Sequence, residues 1–160
     1  MKSIRIIGCG NLYRGDDAVG LLVVHRLQEM GIPAEEAGDD LTRMISRWQP
    51  DETVFIVDAA TADLAPGTIL RYLASDLAKA PSHIRFSSHG MDLTEVIGLA
   101  GALGKLPKEL VVIGIVGSAF GIGERVTPPV RSALELVVGE LGSRVRHAQD
   151  ASLPAVKGTR

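Results

Sequence analysis

Three carboxylates and one imidazole stand where this chain could do chemistry. Asp16 and Asp17 sit together in the run IIGCGNLYRGDDAVG (6–20), Asp58 closes the apolar run VFIVDAA (54–60), and His89 lies in SSHGMDLTEV (87–96). A carboxylate at the end of an apolar strand is costly unless it is paired, hydrogen-bonded or holding a cation. Two carboxylates and an imidazole make an incomplete shell for a borderline divalent metal such as nickel or zinc, leaving positions open to water or substrate. Each residue also has a plainer reading. Asp16 can cap the helix that starts there while Asp17 meets the positive end of its dipole. Asp58 can accept amides of its own turn, and His89 can be structural or merely exposed. Adjacent helical positions point about 100° apart, so Asp16 capping while Asp17 projects into a cleft is the expected division.

Other chemistries fit poorly. Gly8-Cys9-Gly10 begins like a dinucleotide loop, but its third glycine would fall at Tyr13, and two aspartates at the helix start repel a phosphate. The VGSAFG run around Ser118 has Val116 where a nucleophile elbow needs glycine. Cys9 lies near carboxylates that raise a thiol pKa, and reads as a small residue at a packed strand end. Asp39 and Asp40 read as solvated acids at a helix start.

The elements that must hold these residues follow from periodicity. Residues 4–9, 53–59 and 110–116 read as buried strands, with 68–73 as a further strand. Residues 16–30, 40–48 and 92–103 read as helices, the last with Gly98, Gly101 and Ala102 as a small-residue face for close packing. Thr127 and Pro128 open a helix reaching about residue 141. Leu22 and Ile56 are expected in the core. Alternation of helices with strands that are apolar on both faces implies a mostly parallel sheet covered on both sides. In such sheets ligands bind beyond the carboxyl ends of the strands, which places the loop after Cys9, Asp58 and the loop after Val116 near one end. Residues 1–142 form one domain in this reading, and 143–160 lose periodicity and read as a mobile tail.

The 160 residues suffice for one ordinary core, and 17 basic against 19 acidic residues argue against a nucleic-acid or anionic membrane surface. A single cysteine excludes an internal disulfide and fits a reducing cytoplasm. Neither a signal peptide nor a membrane span is expected, and no pattern argues for a stable oligomer, so a cytoplasmic monomer is the expectation.

Taken together, IIGCGNLYRGDDAVG, VFIVDAA, SSHGMDLTEVI and ERVTPPVRSALELV resemble, in order and spacing, the hydrogenase maturation endopeptidases, over roughly residues 4–141. The resemblance implies a three-layer α/β/α sandwich with a twisted, mostly parallel sheet. It implies removal of the C-terminal extension of a nickel–iron hydrogenase large-subunit precursor, with nickel already in the precursor as the recognition signal. By motif position it makes Asp17, Asp58 and His89 the metal-ligating and catalytic residues, with Gly8, Gly10, Asn11 and Asp16 in support. Nickel would come with the precursor, and zinc or another divalent metal could occupy the same ligands. Asp17 departs from the pattern, because that position is often the longer glutamate. A nickel-dependent chaperone that binds the precursor without cutting it is the alternative. Metal-assisted hydrolysis and a carboxylate acting as general base both stay open.

Overall fold

The computed structural model describes residues 3–86 and 91–152. The strand β1 (Ile4–Gly8) leads through a short 3₁₀ turn (Gly15–Ala18) into helix α1 (Val19–Glu29), then β2 (Glu35–Glu36) and a second 3₁₀ turn (Leu41–Ser46). Next come β3 (Thr53–Thr61), β4 (Ile69–Leu73), α2 (Ala74–Leu77), β5 (Arg85–Phe86), α3 (Leu93–Ala102), β6 (Glu109–Val116) and α4 (Pro128–Ser152). Among the described residues the strands form one sheet in the order β2-β1-β3-β6-β4, with β5 paired to the end of β3. The β1–β2, β1–β3 and β3–β6 pairs are parallel, whereas β4 and β5 run antiparallel to their neighbours.

Successive residues of a strand face opposite ways, and β3 divides the core accordingly. Phe55, Val57 and Ala59 pack with Val19, Val23 and Leu27 of α1 and with the α4 row Val130, Leu134, Val137, Val138 and Leu141. Val54, Ile56 and Ala60 face the other layer, with Met44 and Ile45, Leu77 of α2, and Leu93, Val96 and Ala100 of α3. Helices therefore cover both faces, giving the three-layer α/β/α arrangement that the strand pattern predicts. At the edge away from the loops that follow β1 and β6, Arg5 clasps Glu52 through Nε (2.9 Å) and reaches Glu35 (3.1 Å), tying β1 to its neighbours.

Several expectations change. The helix expected from residue 16 begins as a 3₁₀ turn, and regular α-helix starts only at Val19. Leu22 is half-buried, whereas Ile56 is fully enclosed. Gly98, Gly101 and Ala102 do not pack closely: they lie on the exposed side of α3, which turns Leu93, Val96, Ile97 and Ala100 inward. Residues 143–152, read from the sequence as an aperiodic tail, are helical. Helix α4 continues to Ser152, because Gly142 and Val145 extend its buried row; residues 153–160 lie outside the described residues. Asp58 does not end its strand, since β3 runs on to Thr61, with Ala60 in register with Val116 of β6 and Thr61 with Arg85 of β5.

Candidate functional site

Chain direction locates the site. From β1 the chain crosses to β2 on one side, while β3 and β6 lie on the other. The connections diverge between β1 and β3, and a crevice at such a divergence is where open α/β sheets bind ligands. Beyond Gly8, the amide of Cys9 donates to the carbonyl of Val57 at 2.8 Å, which sets Cys9 beside Asp58 on the adjoining strand. Cys9 shares its side of the sheet with Ile56 and Ala60, the same parity as Asp58.

The turn after Cys9 is built by short-range geometry. Gly10 has φ +138°, a region that side-chain-bearing residues avoid, and a Cβ there would strike the carbonyl of Asp17. The amide of Asn11 donates to that carbonyl at 3.2 Å, and its own Oδ1 accepts from the amide of Tyr13 at 2.9 Å. Gly8 and Gly20 let α1 lie directly on the sheet: a Cβ on Gly20 would overlap the carbonyl oxygens of Cys9 and Val57. Gly10 and Asn11 thus meet the backbone of Asp17 directly, whereas Gly8 lies against Gly20 and Val24 of α1.

Asp16 and Asp17 are both buried but face different neighbours. Asp16 is fully enclosed, and its Oδ2 accepts from the amides of Ser118 (2.8 Å) and Ala119 (3.1 Å). Its Oδ1 accepts from the amide of Thr127 (2.7 Å), and the Thr127 hydroxyl donates to the same carboxylate at 3.0 Å. The amide of Asp16 donates in return to the carbonyl of Ala119 at 2.7 Å. Asp16 therefore does not cap its own helix. It sits at the start of α4, where a carboxylate meets the positive end of a helix dipole. The Thr127 hydroxyl, expected to cap α4, is turned to this carboxylate, while Pro128 opens the helix as predicted.

Asp17 lines a cleft of about 740 Å³ with Cys9, Gly10, Leu12, Tyr13, Arg14 and Leu41. Asp39 stands on the same wall, whereas Asp40 caps the 3₁₀ turn that follows it by accepting from the amide of Thr42 at 3.0 Å. Asp58 is fully buried beside the cleft, and one of its oxygens accepts from the amide of Ala59 at 2.8 Å. Burial first, then the charges of Asp58 and Asp17, push the Cys9 thiol well above its ordinary range. Both charges thus disfavour the thiolate of this buried cysteine, which is unsuited to serve as a nucleophile.

His89 lies outside the described residues. Among the described residues no three histidine, cysteine, aspartate or glutamate side chains converge as a metal shell. Asp17 and Asp58 alone supply oxygen donors for only part of a divalent-cation shell. The Asp16 interactions escape a reading of the sequence because its partners lie 102–111 residues away.

The hydrogenase maturation protease family model matches residues 21–143 of this chain. A putative hydrogenase maturation protease of Methanocaldococcus jannaschii is 31% identical over 153 residues, spanning 88% of this chain and 97% of its own. The hydrogenase 2 maturation protease of Escherichia coli is 22% identical over 157 residues, 94% of this chain and 95% of that one. Among solved structures, the [NiFe] hydrogenase maturation protease HybD from Thermococcus kodakarensis superposes with a TM-score of 0.72 at 26% identity, covering 89% of this chain and 98% of that one. The E. coli hydrogenase maturating endopeptidase HybD shares the fold with a TM-score of 0.71 at 20% identity, covering 91% and 93%.

Proposed function

Because the chain belongs to the hydrogenase maturation protease family, we propose that it removes the C-terminal extension of a hydrogenase large-subunit precursor that already carries nickel. The observation that supports this reading is the convergence of Asp17 and Asp58, from two segments, on Cys9 beside a cleft at the divergence of the sheet. Asp17 and Asp39 on the lining of that cleft suit a cation carried in by the substrate.

In this reading Asp17 and Asp58, with His89 contributed from the SSHGMDLTEV motif, hold the precursor's nickel and so register the scissile peptide in the cleft. The metal would supply polarisation of a carbonyl or of a water. Zinc can take the same ligands. The chain's own contribution is placement: Asp17 is fixed by the Gly10–Asn11 turn, and Asp58 by the register of β3 against β6. A carboxylate at this position can also take the proton of an attacking water as general base. The protein acts in this account as a cytoplasmic monomer that meets its precursor transiently; among the described residues no helix is long and apolar enough to cross a membrane.

The test is the intact mass of the nickel-loaded precursor before and after incubation, with a nickel-free precursor alongside. Loss of one C-terminal peptide from the nickel-loaded form alone is the expected result. Binding without any mass change would overturn the reading in favour of a nickel-dependent chaperone. Equal cleavage of the nickel-free form would remove nickel from the recognition step.

A further inference from the structure

The loops that meet at Asp16 also carry three large apolar side chains into solvent. Leu12 is 43% exposed, Tyr13 77% and Ile122 78%. Leu12 and Tyr13 line the cleft that Asp17 lines. Ile122 belongs to the distant loop between β6 and α4, yet the amide of its neighbour Gly123 donates to the carbonyl of Tyr13 at 2.8 Å.

Single exposed apolar residues are ordinary, but these come from two segments more than a hundred positions apart in the chain. They are also held firmly. The Asn11 side chain fixes the amide of Tyr13, and Glu124 closes the turn before it by accepting from the amide of Gly121 at 2.6 Å. Asp16 fastens Ser118, Ala119 and Thr127, on both sides of Ile122, to the segment that carries Tyr13. Apolar groups presented on a backbone already ordered bind a partner without the cost of immobilising a loop. Tyrosine in such a place supplies a large contact with few torsions to freeze.

We propose that Leu12, Tyr13 and Ile122 form an apolar lip that grips an apolar side chain of the precursor next to the scissile bond, and so help select which precursor is processed. The proposal rests on the function proposed above. Its occupant is the substrate peptide, because the lip is continuous with the wall that bears Asp17. The Asp16 contacts then have a second consequence, since they fix the distance between the lip and the cleft carboxylates.

Two measurements separate this proposal from the function it rests on. Steady-state processing of the nickel-loaded precursor by Tyr13→Ser, Ile122→Ser and the double variant is expected to show KM raised about tenfold in the double, with kcat within about twofold. Leu136→Ser, which changes a residue 67% exposed on α4, serves as the control and leaves KM unchanged. The same lip substitutions in an Asp17→Asn background are then titrated with the precursor, which reads binding without cleavage. About tenfold weaker binding is expected. If wild type cleaves nothing, the function fails and the titration still decides the lip. Unchanged KM and unchanged binding in the double variant, or an equal effect of Leu136→Ser, would overturn the lip.

Discussion

The loop between β6 and α4 and the cleft at the end of β1 meet at two consecutive aspartates, and treat them differently. On one side Asp16 has its carboxylate taken up by the amides of Ser118, Ala119 and Thr127 and by a hydroxyl. On the other, Asp17 lines a cleft and lends its charge to the surroundings of Cys9. The 3₁₀ turn from Gly15 to Ala18 makes this possible, because neighbouring residues in such a turn point about 120° apart. Two identical side chains thus face a closed loop and an open cleft one residue apart, and burial alone does not tell them apart.

Substitutions at the cleft test that division most strongly. Asp17→Asn and Asp58→Asn are nearly isosteric and should lower precursor cleavage at least about 100-fold, a loss on the scale of removing one preorganised electrostatic group. The urea midpoint should move little, and a collapse of near-UV circular dichroism in either variant would make that residue structural. Asp16→Ala should act the opposite way. It strands the donors of Ser118, Ala119 and Thr127 and should cost about 3–5 kcal/mol in urea unfolding. A cost below about 1 kcal/mol would remove Asp16 from the structural side of the comparison.

Ordinary core positions set the scale. Ile56→Ala, at a fully enclosed site, should cost about 2–5 kcal/mol. Leu22→Ala, on the half-buried side of α1, should cost nearer 1 kcal/mol, at the low end of the burial scale. Similar costs at the two sites would contradict the burial described here.

The remote Arg5–Glu52 pair should matter least to cleavage, and its effect on stability has a definite sign. The Arg5 guanidinium holds Glu52 below the usual carboxylate range. A carboxylate whose pKa is depressed on folding adds stability above the ordinary carboxylate pKa, and loses it as pH falls through the depressed value. Arg5→Met should therefore cost about 2 kcal/mol at neutral pH. The gap from wild type should shrink as pH falls through the ordinary carboxylate range and below it. A gap that widens on acidification would reverse the assignment.

What could be read in advance divides along similar lines. TVFIVDA and LVVIGIV announce β3 and β6 because their β-branched runs stand alone between turn signals. The two-residue strands β2 and β5 are too short to carry any period. The end of α4 escaped because SRVRHAQD is polar apart from one valine and one alanine, and only Val145 continues the inward row. Gly98, Gly101 and Ala102 misled because small residues on a helix signal close packing only when something lies opposite them. The preference of a carboxylate for a helix N-terminus was sound physics, but Asp16 serves α4 instead of α1. That choice is made by tertiary structure, through partners that no local window contains. Asp17 and Asp58 stand out through their types and places in the motif, whereas the neighbourhood of Asp58 and Cys9 required the register of β1 on β3.

The decisive measurement is a cleavage time course of the nickel-loaded precursor with wild type, Asp17→Asn and Asp16→Asn, normalised to the folded concentration of each. The account predicts no detectable cleavage by Asp17→Asn, and for Asp16→Asn a rate per folded molecule within about tenfold of wild type, the residue of a positioning effect. Cleavage by Asp17→Asn at the wild-type rate, or complete loss by a well-folded Asp16→Asn, would contradict the assignment of chemistry to one aspartate and structure to the other.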